Sequence, residues 1–170
     1  RLEICPLVRR IIMLEIERKF LIDSFPELPV WEEKHMWQGY LATAPVVRIR
    51  RTQTADAASC VLCIKGEGSL IRKEIELPLS REQVEELAGL LEGPMIEKIQ
   101  RVYQLPGGLK LECNCVDRDR PPAFWYAEVE FPTKEAAMAF EPPAFLGKEV
   151  TEQSGFSMRE YWLRRLGEMD

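Results

Sequence analysis

The sequence is poor in histidine: His35 is alone among 170 residues. A His-based catalytic triad and a His-rich metal site are thereby disfavoured. Long apolar runs are missing too. The longest near the start is Ile11-Ile12-Met13-Leu14, against about 20 residues for a membrane span. Transmembrane helices, and a membrane as partner, are therefore not expected. Residues 1–12 lack the continuous apolar core of a signal peptide. Met13 stands directly before the strongest pattern in the chain. Residues 1–12 are expected to be an extended start or a cloning remnant, and 13–170 a single domain. There are five cysteines, an odd number at spacings unlike a stapled scaffold. That predicts reduced thiols and a cytoplasmic setting. Positive charge is in the minority: 23 Lys+Arg against 28 Asp+Glu, a net charge of -5. A nucleic-acid-coating surface is not expected from such a balance.

What is present is alternation. Leu14 to Phe20, Val47 to Arg50, Val61 to Lys65, Arg72 to Leu77, Lys110 to Val116 and Tyr126 to Phe131 all read with period two. This period predicts β-strands with two unlike faces. Gly66-Glu67-Gly68-Ser69 and Pro106-Gly107-Gly108 read as turns between strands. Ser80 with Gln83 predicts a helix N-terminus, followed by Val84, Leu87, Leu90 and Leu91 at helical spacing. Thr133 to Phe140 and Ser157 to Leu166 also read as helices. Cys60 and Cys63 lie three apart in a strand and point to opposite faces, which disfavours a zinc site with Cys113 and Cys115. His35 stands before a strand start and reads as structural. The four tryptophans read as packing residues.

One strand face is charged throughout. It carries Glu15, Glu17 and Lys19; Arg48 and Arg50; Lys65; Arg72, Glu74 and Glu76; Lys98; Glu112; Glu128 and Glu130; and Glu149. Residues i, i+2 and i+4 share a face, about 7 Å apart at each step. The opposite face carries Ile16, Ile49, Leu62, Ile75, Ile99 and Val129. An open sheet would turn the charges to solvent. A sheet curled the other way would enclose them. Pattern alone leaves both arrangements open.

The residues then match a family. Glu15-Ile16-Glu17-Arg18-Lys19 is an ExExK signature. Gln38-Gly39-Tyr40-Leu41, Arg48-Ile49-Arg50, Cys63-Ile64-Lys65-Gly66, Arg72 to Glu76, Glu97-Lys98, Glu112, Glu128-Val129-Glu130 and Gly147 to Thr151 follow in order. Over residues 13–157 the chain resembles the CYTH superfamily of triphosphate tunnel metalloenzymes, most closely its short bacterial inorganic triphosphatases. The resemblance implies an α+β fold: an eight-stranded antiparallel β-barrel forming a tunnel, with helices packed outside. It implies metal-dependent hydrolysis of a triphosphate, inorganic tripolyphosphate first. Lys19, Arg48, Arg50, Lys65, Arg72 and Lys98 would bind a triphosphate-bearing small molecule. Glu15, Glu17, Glu74, Glu76, Glu112, Glu128, Glu130 and Glu149 would hold Mg²⁺ or Mn²⁺. Lys98 and Tyr40 are the catalytic candidates. Physical chemistry agrees with that division: a polyanion needs several cations at close range, and carboxylates near phosphate repel it unless a divalent metal lies between. With a polar barrel centre, the apolar core is expected between the outer wall and the helices. The helix near Met158 would cover one tunnel mouth or form a homodimer contact.

Other readings share parts of the pattern. A class IV type adenylate cyclase shares the barrel, but Arg10-Ile11-Ile12 replaces the His-Phe pair those enzymes carry before ExExK. An apolar-ligand barrel of the lipocalin type needs apolar inward positions. A non-catalytic triphosphate- or polyphosphate-binding module is motivated by two departures. Gln100 falls where the family places a tunnel arginine, and Asn114 where it places an aspartate. Arg101 has the wrong parity to replace the arginine. Net tunnel charge is unchanged, yet one cation is gone. The prediction is weaker phosphate binding than in a full-complement relative. Gln100→Arg and Asn114→Asp, singly and together, are to be assayed on tripolyphosphate with Mg²⁺ and Mn²⁺. Tighter binding or a faster rate is expected; unchanged affinity and rate in all three variants would show these positions to be misassigned.

Overall fold

The computed structural model describes residues 11–168. The expected extended start therefore lies mostly outside the described residues, while Ile11 and Ile12 already belong to the first strand. The strands are β1 (Ile11–Leu21), β2 (Glu32–Thr43), β3 (Val46–Gln53), β4 (Ala58–Lys65), β5 (Ile71–Leu79), β6 (Ile96–Gln104), β7 (Lys110–Val116) and β8 (Phe124–Glu130). They close into a barrel in the order β1-β5-β4-β3-β2-β6-β7-β8. Each neighbouring pair is antiparallel. The strand β1 pairs with β5 up to Ile16 and with β8 from Glu17 onward. Closure leaves the sheet without a free edge and gives every strand an inside and an outside.

The turns follow from their residues. The β4–β5 hairpin bends at Gly68, whose φ of 124° suits glycine; a side chain there would strike the Ile71 carbonyl. Pro106-Gly107-Gly108 turns the chain from β6 to β7, with both glycines at positive φ. The strand β2 starts at Glu32, so His35 lies inside a strand and does not precede one.

Helix α1 (Arg81–Ala88) begins with the expected capping box: Gln83 N–H donates to Ser80 Oγ, and Ser80 N–H donates to Gln83 Oε1. It stops at Ala88 with Gly89 as cap, so Leu90 and Leu91 fall beyond it and Leu90 is exposed. Glycine has the weakest helix propensity of the non-proline residues, which ends the run about one turn earlier than the leucine spacing predicts. Helices α2 (Lys134–Ala139) and α3 (Met158–Gly167) start at Thr133 and Ser157 as expected.

Two apolar clusters hold these parts together. One lies on the outer wall, where Ile16, Phe20, Leu111, Ala127 and Val129 pack with Phe131, Ala137 and Leu146. The other differs from expectation. Tyr40, Ile96, Val116 and Tyr126 share strand parity with the charged face, so they point inward, yet they pack against Met158, Tyr161 and Trp162 of α3. Apolar packing thus also fills one end of the barrel, with α3 laid across it. Trp162 anchors the helix: it is buried, its ring lies 5.6 Å from that of Tyr40 at a tilt of 51°, and its indole N–H donates to the Pro94 carbonyl at 2.8 Å. Trp162→Ala is expected to cost about 3–5 kcal/mol, read as a lower urea midpoint at unchanged slope. A loss below about 1 kcal/mol would mean that α3 is not held by this residue.

Candidate active site

The alternation places the charges inside. Glu15, Glu17, Lys19, Arg48, Arg50, Lys65, Arg72, Glu74, Glu76, Lys98, Glu112, Glu128 and Glu130 line one enclosed lumen of about 230 Å³, together with Tyr40 and Gln100. Beside the apolar plug, at the start of α3, the lumen adjoins a vestibule of about 830 Å³ between the β2–β3 turn, the β4–β5 hairpin and residues 150–154. Glu17, Lys19, Lys65, Arg72 and Arg159 line both spaces. Lys19, Lys65, Arg72 and Arg159 are thus within reach of an anion at the junction, alongside the Glu17 carboxyl.

Glu149 is the exception among the expected tunnel residues. It sits opposite Phe20 in an isolated antiparallel bridge. Directly opposed residues point to one side of a sheet, and Phe20 faces the outer cluster, so Glu149 faces outward as well. There it pairs with the outward Arg18 at 2.6 Å and accepts from Thr151 Oγ1. The metal-ligand expectation for Glu149 is corrected on that parity.

Inside, the charges neutralise each other. Lys65 bridges Glu15 at 3.1 Å and Glu74 at 3.0 Å. Arg72 reaches Glu15 at 2.6 Å and Glu17 at 2.7 Å. Lys19 pairs with Glu128 at 2.9 Å, and Arg50 with Glu76 at 2.9 Å. Arg48 is 3.9 Å from Glu74 and 3.5 Å from the Cys63 sulfur, whose thiol also contacts Glu74 Oε1 at 2.9 Å. Even so, the Nε atoms of Arg48 and Arg50 are buried without a partner, as are Oε1 of Gln38 and of Gln100. Buried donors left unpaired on two arginines suit an anionic ligand.

Lys98 stands apart. It is buried, and among the described residues its ammonium donates only to Tyr126 OH, at 3.1 Å. Burial drives its pKa down to about 7, opposed by Glu128 and reinforced by Arg48 and Arg50. Tyr40 is buried too, accepting from Gln38 Nε2 at 3.2 Å. Gln100 and Asn114 are direct cross-strand partners, as their alignment implies. Gln100 Nε2 donates to Asn114 Oδ1 at 3.1 Å and to Glu112 Oε2 at 3.0 Å. Arg101 points outward onto Glu33 and the Phe25 ring, as its parity requires.

Several of the acids stand close enough to raise one another. Burial pushes the Glu17 carboxyl up to about 8, aided by Glu128 and Glu15. Glu112 and Glu130 are raised as well, by burial first and by neighbouring carboxylates next. Burial also disfavours the Glu128 carboxylate, but Lys19 and Lys98 outweigh it and hold that group at about 2. Carboxylates that raise one another in an enclosed space are a hard oxygen donor set, which fits a small divalent cation. Among the described residues, donor atoms of Cys63, Glu74 and Glu76 also approach within 4.8 Å of one another. Cys60 and Cys63 do face opposite ways: Cys63 is buried inside and Cys60 is half-buried.

Several lumen residues escaped the sequence reading, Tyr126, Lys34 and Arg159 among them. Tyr126 shares the parity of Glu128 and Glu130 and was legible from it. Lys34 also lines the lumen. It shares parity with Gln38 and Tyr40, but Glu32 to Trp37 shows no alternation that would carry the strand back that far.

The comparisons agree with this geometry. No protein-family model matches the chain. An inorganic triphosphatase of Nitrosomonas europaea is 36% identical over 147 residues, which are 85% of this chain and 93% of that protein. A solved inorganic triphosphatase structure superposes with a TM-score of 0.61 at 32% identity, over 88% of this chain and 97% of the other. A plant protein from Hippeastrum, described as a putative adenylyl cyclase with a dominant triphosphatase activity, shares the fold at TM-score 0.50 and 18% identity, over 73% of this chain and 82% of that one.

Proposed function

Because the chain belongs to the CYTH family of tunnel enzymes, among its short bacterial triphosphatases, we propose that it hydrolyses a triphosphate, inorganic tripolyphosphate first, inside the barrel. The observation that carries the reading is the closed lumen lined by alternating cations and carboxylates. The cyclase alternative is not favoured. Its barrel is shared, but a relative 36% identical to this chain is named for triphosphatase activity.

In this reading Lys19, Arg48, Arg50, Lys65 and Arg72 bind the phosphate chain. The guanidinium groups grip two oxygens at a time and the ammonium groups act as point charges. The unpartnered Nε–H groups of Arg48 and Arg50 gain acceptors when phosphate arrives. Glu15, Glu17, Glu128 and Glu130 hold Mg²⁺ or Mn²⁺, with Glu74, Glu76 and Glu112 completing the wall. When bound, the ion supplies charge neutralisation at phosphate oxygens. Phosphoryl transfer demands little covalent chemistry, so positioning and electrostatics do most of the catalysis. Lys98 serves as general base toward the attacking water, since its amine is neutral above about pH 7. Tyr40, fixed by Gln38 and Trp162, presents its hydroxyl to the lumen as a hydrogen-bonding group. A cytoplasmic setting belongs to the same proposal, supported by the free thiols Cys60, Cys63, Cys113 and Cys115. No helix among the described residues is long and apolar enough to cross a membrane.

The direct test is incubation with tripolyphosphate, ATP and thiamine triphosphate in Mg²⁺ or Mn²⁺. Phosphate release is expected from tripolyphosphate and lost in EDTA and in Glu15→Ala and Glu17→Ala. Cyclic AMP, binding without turnover, or no phosphate with any divalent ion would each overturn the reading. The base assignment has its own signature. Lys98 is protonated below about pH 7 and neutral above it, so kcat/KM should rise with pH through that value and level off. Lys98→Met should cost about 100-fold or more in kcat, and Lys98→Arg, charged at every working pH, should lose the rise. A rise that survives Lys98→Arg would assign the base elsewhere.

A further inference from the structure

Gln100 leaves a gap in the cation track that the rest of the barrel does not obviously fill. Its amide nitrogen is committed to Glu112 and Asn114. Its free atom is the buried Oε1, an acceptor that repels phosphate oxygen. Arg101 faces outward. The residue directly across from Gln100 on the neighbouring strand, however, is Lys34. Directly opposed residues share a face, with Cβ atoms about 5 Å apart, and both side chains line the lumen.

We propose that Lys34 binds the phosphate chain in place of the cation missing at Gln100, so that the positive charge has moved one strand sideways, from β6 to β2. The inference rests on the reading of the lumen as a triphosphate site. Two observations support it. Lys34 is an inward residue next to the vacated position. Its own ion pair is also weak. Lys34 Nζ lies 3.3 Å from Glu32 Oε2, and the Glu32 side chain is 41% exposed. Such pairs contribute little to stability, so a flexible lysine stem can exchange Glu32 for a buried phosphate at small cost. The buried Gln100 Oε1 is then available to accept a hydrogen bond from the incoming ammonium.

The consequence is non-additivity. Lys34 and an arginine at position 100 would serve the same phosphate and repel each other, so each should matter most when the other is absent. The experiment measures equilibrium binding of inorganic tripolyphosphate in EDTA by calorimetry, and KM and kcat with Mg²⁺. The proteins are the unaltered chain, Lys34→Gln, Gln100→Arg, the double variant, and Lys134→Gln. The last is a charge-matched control on the exposed start of α2. Lys34→Gln should raise Kd and KM about tenfold, the loss of one charge-assisted contact, with kcat nearly unchanged. Gln100→Arg should recover that loss in the Lys34→Gln background and gain much less in the unaltered chain. Lys134→Gln should change nothing. Equal binding by Lys34→Gln and the unaltered chain, or an equal gain from Gln100→Arg in both backgrounds, overturns the role of Lys34 while the triphosphatase reading stands. An unaltered chain that neither binds nor hydrolyses tripolyphosphate overturns both.

Discussion

Charge enclosed in a barrel has to be neutralised in place. An isolated ion moved from water into a protein interior costs several kcal/mol, and an attractive partner restores that only with close geometry. The lumen of this protein meets the constraint by interleaving signs: Lys65 between Glu15 and Glu74, Arg72 across Glu15 and Glu17, Lys19 against Glu128. The rest of the architecture follows from that arrangement. The strands must alternate strictly, since a one-residue slip would turn the whole charged set into the outer apolar packing. The sheet must close, because an open sheet would leave the same residues as a hydrated surface without a site.

Closure shifts the burden of apolar burial to two other places. The outer wall carries one cluster under α2 and the segment leading to Leu146. The α3 end of the lumen carries the other, where Tyr40, Ile96, Val116 and Tyr126 replace charges on the inward face. The second cluster also sets the electrostatics of the site. Tyr126 is buried at the boundary between the apolar plug and the charged lumen. It takes the hydrogen bond of Lys98 and lies 4.5 Å beneath Lys19. Lys98 is thus held against an aromatic hydroxyl, away from any carboxylate partner. Burial therefore dominates its pKa where pairing would otherwise keep it charged.

Strand parity made most of the site legible in the sequence. Glu15, Glu17, Lys19, Arg48, Arg50, Arg72, Glu74, Glu128 and Glu130 needed only period two and the decision that the sheet is closed. That decision was not available from alternation, because a solvated face produces the same pattern; the family resemblance supplied it. The failures have equally local causes. Glu149 belongs to no barrel strand, and its side is fixed by a single bridge to Phe20 that no periodicity announces. Lys34 sits where β2 carries mixed residues on both faces. The extension of the strand to Glu32 comes from pairing with β6, a long-range fact. The early end of α1 was signalled by Gly89, which the leucine spacing outvoted in the sequence reading. The placement of α3 over a mouth depends on Trp162 reaching the Pro94 carbonyl, 68 residues away.

The self-neutralised lumen also explains how an acidic chain can hold a polyanion. In the free barrel Lys19, Arg50, Lys65 and Arg72 are already paired with carboxylates, so phosphate has to compete with acids that stay behind as repelling charges. In the proposed reading, Glu15, Glu17, Glu128 and Glu130 would hold a divalent ion that removes this repulsion and leaves the cations to the phosphate, which would couple metal to substrate. The coupling needs only that donors and acceptors be matched locally, and it tolerates rearrangement of individual pairs. Gln100 and Asn114 illustrate this tolerance: an arginine and an aspartate facing each other across β6 and β7 can both become amides with the pair still hydrogen-bonded. What such a swap cannot preserve is the field along the tunnel axis, because phosphate responds to the cation and metal to the anion separately. A cation on the adjacent strand can repair the first half of that loss, since neighbouring strands of a closed sheet present one continuous inner surface.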